Sequence, residues 1–86
     1  MNKEKLLRSV RNNPVDVRFS DLCRLAQYLG FALRGGRGSH RVYTHPSVKE
    51  ILNFQNVGGK AKPYQVRQFL SVIEAYGLEL EGRHEH

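Results

Sequence analysis

The chain has 86 residues, 40% of them hydrophobic, and a formal net charge of +6 at neutral pH. This length supports one domain with a modest core and excludes a deep cofactor pocket, so any site is expected to be a shallow surface cleft. The single cysteine, Cys23, excludes an internal disulfide framework, and we expect it to be an ordinary half-buried residue. Without a secretory signal or a membrane-length apolar run, the sequence predicts a cytoplasmic protein.

Two helices are predicted in the first third of the chain. The first covers residues 3–12 and must be stabilised by docking, because so short a helix is marginal alone. The second is amphipathic and covers residues 21–29, with Ser20 as its expected N-cap and Gly30 as its stop. The apolar stripe of the first helix consists of Leu6, Leu7 and Val10.

Three short strands are predicted next, over residues 31–34, 39–44 and 50–55. A glycine-rich turn, residues 35–38, joins the first two strands. Residues 45–47, which include a proline, separate the second strand from the third. Connections this short make the sheet antiparallel.

A flexible basic loop is predicted over residues 57–62, followed by a helix over residues 63–76 that begins at a proline and stops at Gly77. Residues 78–80 are expected to add a little extended chain. The order predicts an α+β, two-layer α-β-β-β-α fold, with a three-stranded antiparallel sheet packed on two helices and an extra N-terminal helix. One face of this sheet is left open to water or to a ligand.

The positive charge is concentrated in the middle of the chain. Between Gly30 and Leu70 there are seven basic residues and one acid. Their difference, six positive charges, equals the net charge of the whole protein. Such a cluster favours a partner with a phosphate backbone, although a basic face that only increases solubility has the same composition. The basic residues are Arg34, Arg37, Arg41, Lys49, Lys60, Lys62 and Arg67.

His40 is the candidate for chemistry, because it follows the glycine-rich turn and lies between Arg37 and Arg41. An imidazole can take a proton from a ribose 2′-hydroxyl, and nearby cations can neutralise the phosphate that is attacked. A lone histidine at the end of a strand is more often structural or solvated than catalytic. His40 and His45 have no nearby acid or cysteine to complete a ligand set, so we expect no metal site. His84 and His86 lie in a tail expected to be frayed.

The segment Gly38-Ser39-His40-Arg41-Val42-Tyr43 resembles the Gly-Ser-His-x-apolar-aromatic motif of the HicA-type toxins, also called the YcfA family. The resemblance covers roughly residues 19–77. It implies a double-stranded-RNA-binding-like domain over residues 19–80, preceded by an extension, residues 1–18, and followed by a flexible tail, residues 81–86. The extension would pack on the domain, contact a partner or mediate self-association.

The resemblance implies a metal-independent endoribonuclease that cleaves mRNA without a cofactor, as the toxin of a stress-response toxin–antitoxin system. It implies that His40 is the essential catalytic residue, and that a HicB-type antitoxin covers the active site. The oligomeric state stays open.

The sequence leaves three functions to compare. In a ribonuclease, His40 would act as general base and in turn as acid, and His45 is a candidate proton donor to the leaving oxygen. A non-catalytic RNA-binding module would need the same basic surface but no such group. An interaction protein would use that surface for an acidic protein partner. The residues predicted to contact RNA are Arg37, Ser39, Arg41, Lys60 and Lys62.

Overall fold

The computed structural model of the protein describes residues 2–81. It contains the predicted helices and strands in the predicted order, with one additional short strand before the last helix. Of the predicted tail, residues 82–86 lie outside the described residues, and His84 and His86 are among them. In chain order the elements are α1 Lys3–Asn12, α2 Phe19–Tyr28, β1 Ala32–Gly35, β2 His40–His45, β3 Val48–Val57, β4 Lys60–Ala61 and α3 Pro63–Tyr76. The predicted α+β class is confirmed, as are the bounds of α1 and α3.

The start of α2 differs from the prediction, because the helix begins at Phe19 and its N-cap is Arg18. Ser20 lies inside the first turn, so its assignment as the N-cap was wrong. Phe19 is buried in the core, and its backbone N–H donates to the carbonyl of Gly59 at 3.0 Å.

The sheet has the strand order β1-β2-β3-β4 and is antiparallel throughout. The fourth strand was not predicted, because its residues had been assigned to a flexible loop. Gly58 and Gly59 both have positive φ, and this tight turn folds Lys60 and Ala61 back onto the end of β3. The third strand consequently extends to Val57, beyond its predicted end.

Alternation along β2 and β3 divides the sheet into two faces. Tyr43 is paired with Leu52, and both side chains are buried under the helices with Phe54. On the opposite face His40 is exposed, and Ile51 retains 58% of its surface. The prediction that one face of the sheet stays open is confirmed.

The N-terminal extension packs on the rest of the domain. Leu6 and Val10 of α1 are buried, and so is Val17 in the connection to α2. Val17 also accepts a hydrogen bond from the backbone N–H of Ala61 at 2.8 Å, so the connection lies beside β4.

The chain after α3 returns to the second helix. Leu80 is buried, and the N–H of Glu81 donates to the carbonyl of Tyr28 at 2.8 Å. Residues 78–80 form no strand. Within residues 2–81 no helix combines the length and the apolar character that a membrane span requires.

Candidate active site

A turn rich in glycine presents the candidate site at the start of β2. Gly36 has φ 113° and Gly38 has φ 61°, both in the region that favours glycine. A Cβ atom at Gly36 would lie 2.4 Å from the carbonyl oxygen of His40. The backbone N–H of His40 donates to the carbonyl of Arg37 at 3.1 Å and closes the turn. Glycine at position 36 is therefore required for the close approach that positions His40.

Arg41 fixes this turn from the helix side of the sheet. Its guanidinium donates to the carbonyl oxygens of Gly38 and His40, at 2.9 Å each, and lies 5.9 Å from the ring of Phe19. The backbone N–H of Asn56 donates to the carbonyl of Ser39 at 2.8 Å and ties the turn to β3. Arg41 thus points away from the open face and stabilises the backbone that carries the histidine.

The side chain of His40 is exposed on the open face, where strand register sets it beside Gln55 of β3. Among residues 2–81, no hydrogen bond, ion pair or ring contact engages its imidazole. An unengaged imidazole can both accept a proton from a bound group and return it. This arrangement suits acid–base chemistry on a ligand that approaches the open face.

The predicted cations divide into paired and unpaired side chains. Arg37 is exposed, and its side chain has no partner within residues 2–81. Lys60 forms an ion pair and a hydrogen bond with Asp16. The hydrogen bond and the positive charge of Lys60 hold the pKa of the Asp16 carboxyl below its usual range. Lys62 is the N-cap residue of α3, with its Nζ 5.9 Å from the ring of Tyr64. The turn therefore brings Arg37, Ser39 and His40 together, whereas Lys60 and Lys62 belong to the connection between β3 and α3.

The buried Tyr43 and the half-buried Cys23 lie beside each other on the helix side of β2. Burial raises the pKa of the Tyr43 phenol, with the Cys23 side chain beside it as a further cause. Burial also raises the pKa of the Cys23 thiol, which therefore stays protonated near neutral pH and is a poor nucleophile. The pair contributes to the packing that supports β2.

His45 lies at the other end of β2, about 16 Å along the strand from His40. Its Nδ1 accepts a hydrogen bond from the N–H of Ser47 at 3.0 Å, and its ring contacts Phe31 with the centroids 5.0 Å apart. This separation is too large for both imidazoles to act on one phosphodiester. The arrangement therefore gives no support to the suggestion from the sequence that His45 protonates the leaving oxygen, which stays a prediction.

Two residues at the start of α3 lie near the candidate site and were missed in the sequence. Gln65 is buried, and its Oε1 accepts a hydrogen bond from the backbone N–H of Gln55 at 2.8 Å. Tyr64 is 62% exposed. The available signal was that Tyr64 is an aromatic residue placed off the apolar stripe of the helix.

Among residues 2–81 no cluster of three or more histidine, cysteine, aspartate or glutamate side chains is arranged to hold a metal ion. Two of the acids in the described part of the chain make other contacts. Asp21 forms an ion pair with Arg24 on α2, and Glu50 accepts a hydrogen bond from Tyr76.

The family model described as the HicA toxin of bacterial toxin–antitoxin systems matches residues 19–78, more than half of the chain. The match begins with α2, contains the glycine turn and His40, and ends just after α3. It does not include α1. Comparisons with curated proteins and with solved structures found no match.

Proposed function

Since this chain belongs to the HicA toxin family, we propose that it is a metal-independent endoribonuclease that cleaves mRNA in the cytoplasm, with His40 as its catalytic residue. The family itself supports a general role as a ribonuclease toxin. The observation that carries the finer proposal is the exposed, unengaged imidazole of His40 beside a rigid glycine turn. No other histidine among residues 2–81 has this combination of exposure and free ring nitrogens.

In the proposed reaction, His40 takes the proton from a ribose 2′-hydroxyl. The 2′-oxygen forms a bond to the adjacent phosphorus, and the bond from phosphorus to the 5′-oxygen breaks. The 5′-oxygen must then gain a proton, which the imidazolium of His40 supplies directly or through water. The products are a 2′,3′-cyclic phosphate and a 5′-hydroxyl, so no water is consumed and no metal is needed.

The cations named from the sequence take different parts in this proposal. Arg37 and Lys62 are the principal phosphate contacts, because neither side chain has an acidic partner among residues 2–81. Lys60 can contribute only by exchanging Asp16 for a phosphate. Arg41 acts mainly by holding the turn, although a guanidinium has further donors to offer. Ser39 contributes a hydroxyl beside the scissile group.

The partner proposed for this toxin is a HicB-type antitoxin that covers the open face of the sheet. That face combines His40 with exposed apolar side chains, including Ile51, which a protein partner can bury. An antitoxin bound there would exclude RNA from the imidazole. Adding the antitoxin in equimolar amount is expected to abolish cleavage.

The deciding experiment compares the wild type with His40→Ala on cellular RNA in the presence of EDTA. The wild type is expected to leave 2′,3′-cyclic phosphate ends, and the variant to cleave about 10²- to 10⁴-fold more slowly. Both proteins should bind RNA with similar affinity, because the cations are unchanged. Equal cleavage by both would remove His40 from the mechanism.

A folded wild type that binds RNA without cleaving it would instead indicate the non-catalytic binding module. The affinity is also expected to fall clearly between low and moderate salt, since phosphate contacts release counterions. An affinity independent of salt would contradict the assignment of the basic residues.

A further inference from the structure

Tyr64 is the most exposed of the large apolar side chains in residues 2–81, with 62% of its surface accessible. It lies in the first turn of α3, after Pro63, and its ring takes no part in the apolar stripe that packs on the sheet. The four ring contacts inside the fold involve Phe31, Tyr43, His45, Phe54 and Phe69. Core packing therefore does not explain an aromatic residue at position 64.

A series of contacts connects Tyr64 to the candidate active site. The Nε2 of Gln65 donates to the Tyr64 hydroxyl at 3.4 Å, and the Oε1 of Gln65 accepts from the N–H of Gln55 at 2.8 Å. Gln55 is in turn the register partner of His40 in the sheet. Because paired residues lie about 5 Å apart, the phenol is within about 15 Å of His40.

A cation and a buried amide flank the ring of Tyr64. The Nζ of Lys62 lies 5.9 Å from the Tyr64 ring centroid, which puts a cation beside an accessible aromatic face. Gln65 is only 6% exposed, so the group that holds the phenol is itself fixed in the core. An aromatic ring held in place and flanked by a lysine can stack a base and bind its phosphate together.

We propose that Tyr64 stacks on an unpaired nucleobase of the RNA a few nucleotides from the scissile phosphate, with Lys62 bound to a phosphate of the same nucleotide. This inference rests on the proposed ribonuclease function and names its substrate class. A base in a duplex has both faces covered by its neighbours, so only an unpaired base can offer a face to Tyr64. The site therefore selects single-stranded over double-stranded RNA, although the fold is of the double-stranded-RNA-binding kind.

The experiment measures binding in the His40→Ala background, where cleavage does not interfere. A single-stranded oligoribonucleotide and the corresponding duplex are titrated against this protein and against versions carrying Tyr64→Ala or Tyr64→Phe. Tyr64→Ala is expected to weaken single-strand binding roughly 5- to 100-fold, the range for loss of one stacked base. Tyr64→Phe keeps the ring and should bind within about threefold of the parent, and duplex binding should not change.

Val15→Ala is the matched control, because Val15 is comparably exposed, at 55%, but lies in the connection between α1 and α2, away from the open face. It should leave single-strand binding unchanged. Equal single-strand affinity for Tyr64→Ala and its parent, or an equal loss for single strand and duplex, would overturn the proposal. These outcomes do not depend on cleavage. If Tyr64→Ala binds single strands as its parent does while the wild type still cleaves RNA through His40, only this inference is rejected. If the wild type does not cleave RNA, the proposed function is rejected.

Discussion

The two ends of β2 carry the same residue type in opposite settings. At one end His40 follows a glycine turn, is exposed, and has no partner for its ring among residues 2–81. At the other end His45 is half-buried, accepts a hydrogen bond from the Ser47 N–H, and packs against the edge of Phe31. The first arrangement leaves both ring nitrogens available to a ligand, whereas the second uses the ring to close a turn.

The surroundings of the two ends explain this division. At the His45 end, the hydroxyl of Tyr76 donates to Glu50 at 2.8 Å and accepts from the backbone N–H of Lys49 at 3.2 Å, which joins α3 to the start of β3. At the His40 end, the bonds to the turn are made by backbone groups and by Arg41 from the helix side. Side-chain contacts therefore cover the His45 end, whereas the His40 end is stabilised from the helix side and its open face remains accessible.

The largest effect is expected when the two histidines are exchanged for alanine separately. His45→Ala should cleave RNA at close to the wild-type rate, because its ring is about 16 Å from the site. His40→Ala should lose about 10²- to 10⁴-fold. Initial rates on one fluorogenic RNA, measured at a temperature where both proteins are folded, test the contrast. A comparable loss in both variants would mean that His45 takes part in the chemistry after all.

Alanine substitutions at two glycines extend the contrast to the backbone. A Cβ at Gly36 would meet backbone atoms, 2.4 Å from the His40 oxygen and 2.9 Å from the Arg41 Cα. At Gly30 it would meet the ends of side chains, the Glu81 Oε2 at 2.8 Å and the His45 Nε2 at 3.0 Å, which can rotate away.

Both glycines have positive φ, so both substitutions introduce backbone strain. Gly36→Ala should cost about 3 kcal/mol of unfolding free energy and also reduce cleavage. Gly30→Ala should cost about 1–2 kcal/mol and leave cleavage unchanged. Urea unfolding and initial cleavage rates check these values, and equal stability of the two variants would contradict the backbone clash.

A smaller effect is expected on the stability of the two histidine variants. His45→Ala removes the acceptor for the Ser47 N–H and the contact with Phe31, and should cost about 1 kcal/mol. His40→Ala should stay within about 0.5 kcal/mol of the wild type. His45→Asn can still accept from a backbone N–H two residues ahead, so it separates the hydrogen bond from the ring contact. Thermal unfolding of the three variants gives the ranking, and a destabilised His40→Ala would reverse the comparison.

The smallest effect is a pH dependence at the His45 end. The hydrogen bond from Tyr76 holds the pKa of the Glu50 carboxyl below its ordinary value of 4.5. A lowered pKa in the folded state adds stability above pH 4.5, and this stability is lost as the pH falls through the folded-state value. Tyr76→Phe should therefore differ more from the wild type at pH 7 than at pH 3, as measured by urea unfolding. A difference independent of pH would assign the whole effect to the bond with Lys49.

Local patterns in the sequence predicted much of the fold. Helix α3 was predicted at its observed bounds, because Pro63 and Gly77 mark its ends and the apolar stripe lies between them. The strand β4 was missed, since two residues carry no periodicity and their pairing depends on a turn of two glycines. Its pairing with β3 is local, across Gly58 and Gly59, so this glycine pair was the one available signal of a hairpin, and it was interpreted as a flexible loop.

The candidate site was predictable in its residues but not in its orientation. The segment around His40 is contiguous, so its basic character and its turn are visible in the sequence. The direction of Arg41 depends on the strand pleat and on the neighbouring ring of Phe19. The position of Tyr64 depends on the packing of Gln65 against β3. Such contacts arise only once distant segments have met.

The hydrogen bond between Val17 and Ala61, and the bridge between Arg18 and Lys60, have a consequence for where this protein can be cut. The family-matched segment starts at residue 19, but the backbone groups of β4 are satisfied by residues before that boundary. A protein trimmed to residues 19–78 would expose an unpaired sheet edge and the apolar surface under Leu6 and Val10, both of which favour self-association. The segment that the family model matches therefore leaves out residues that complete the sheet and the core of this fold.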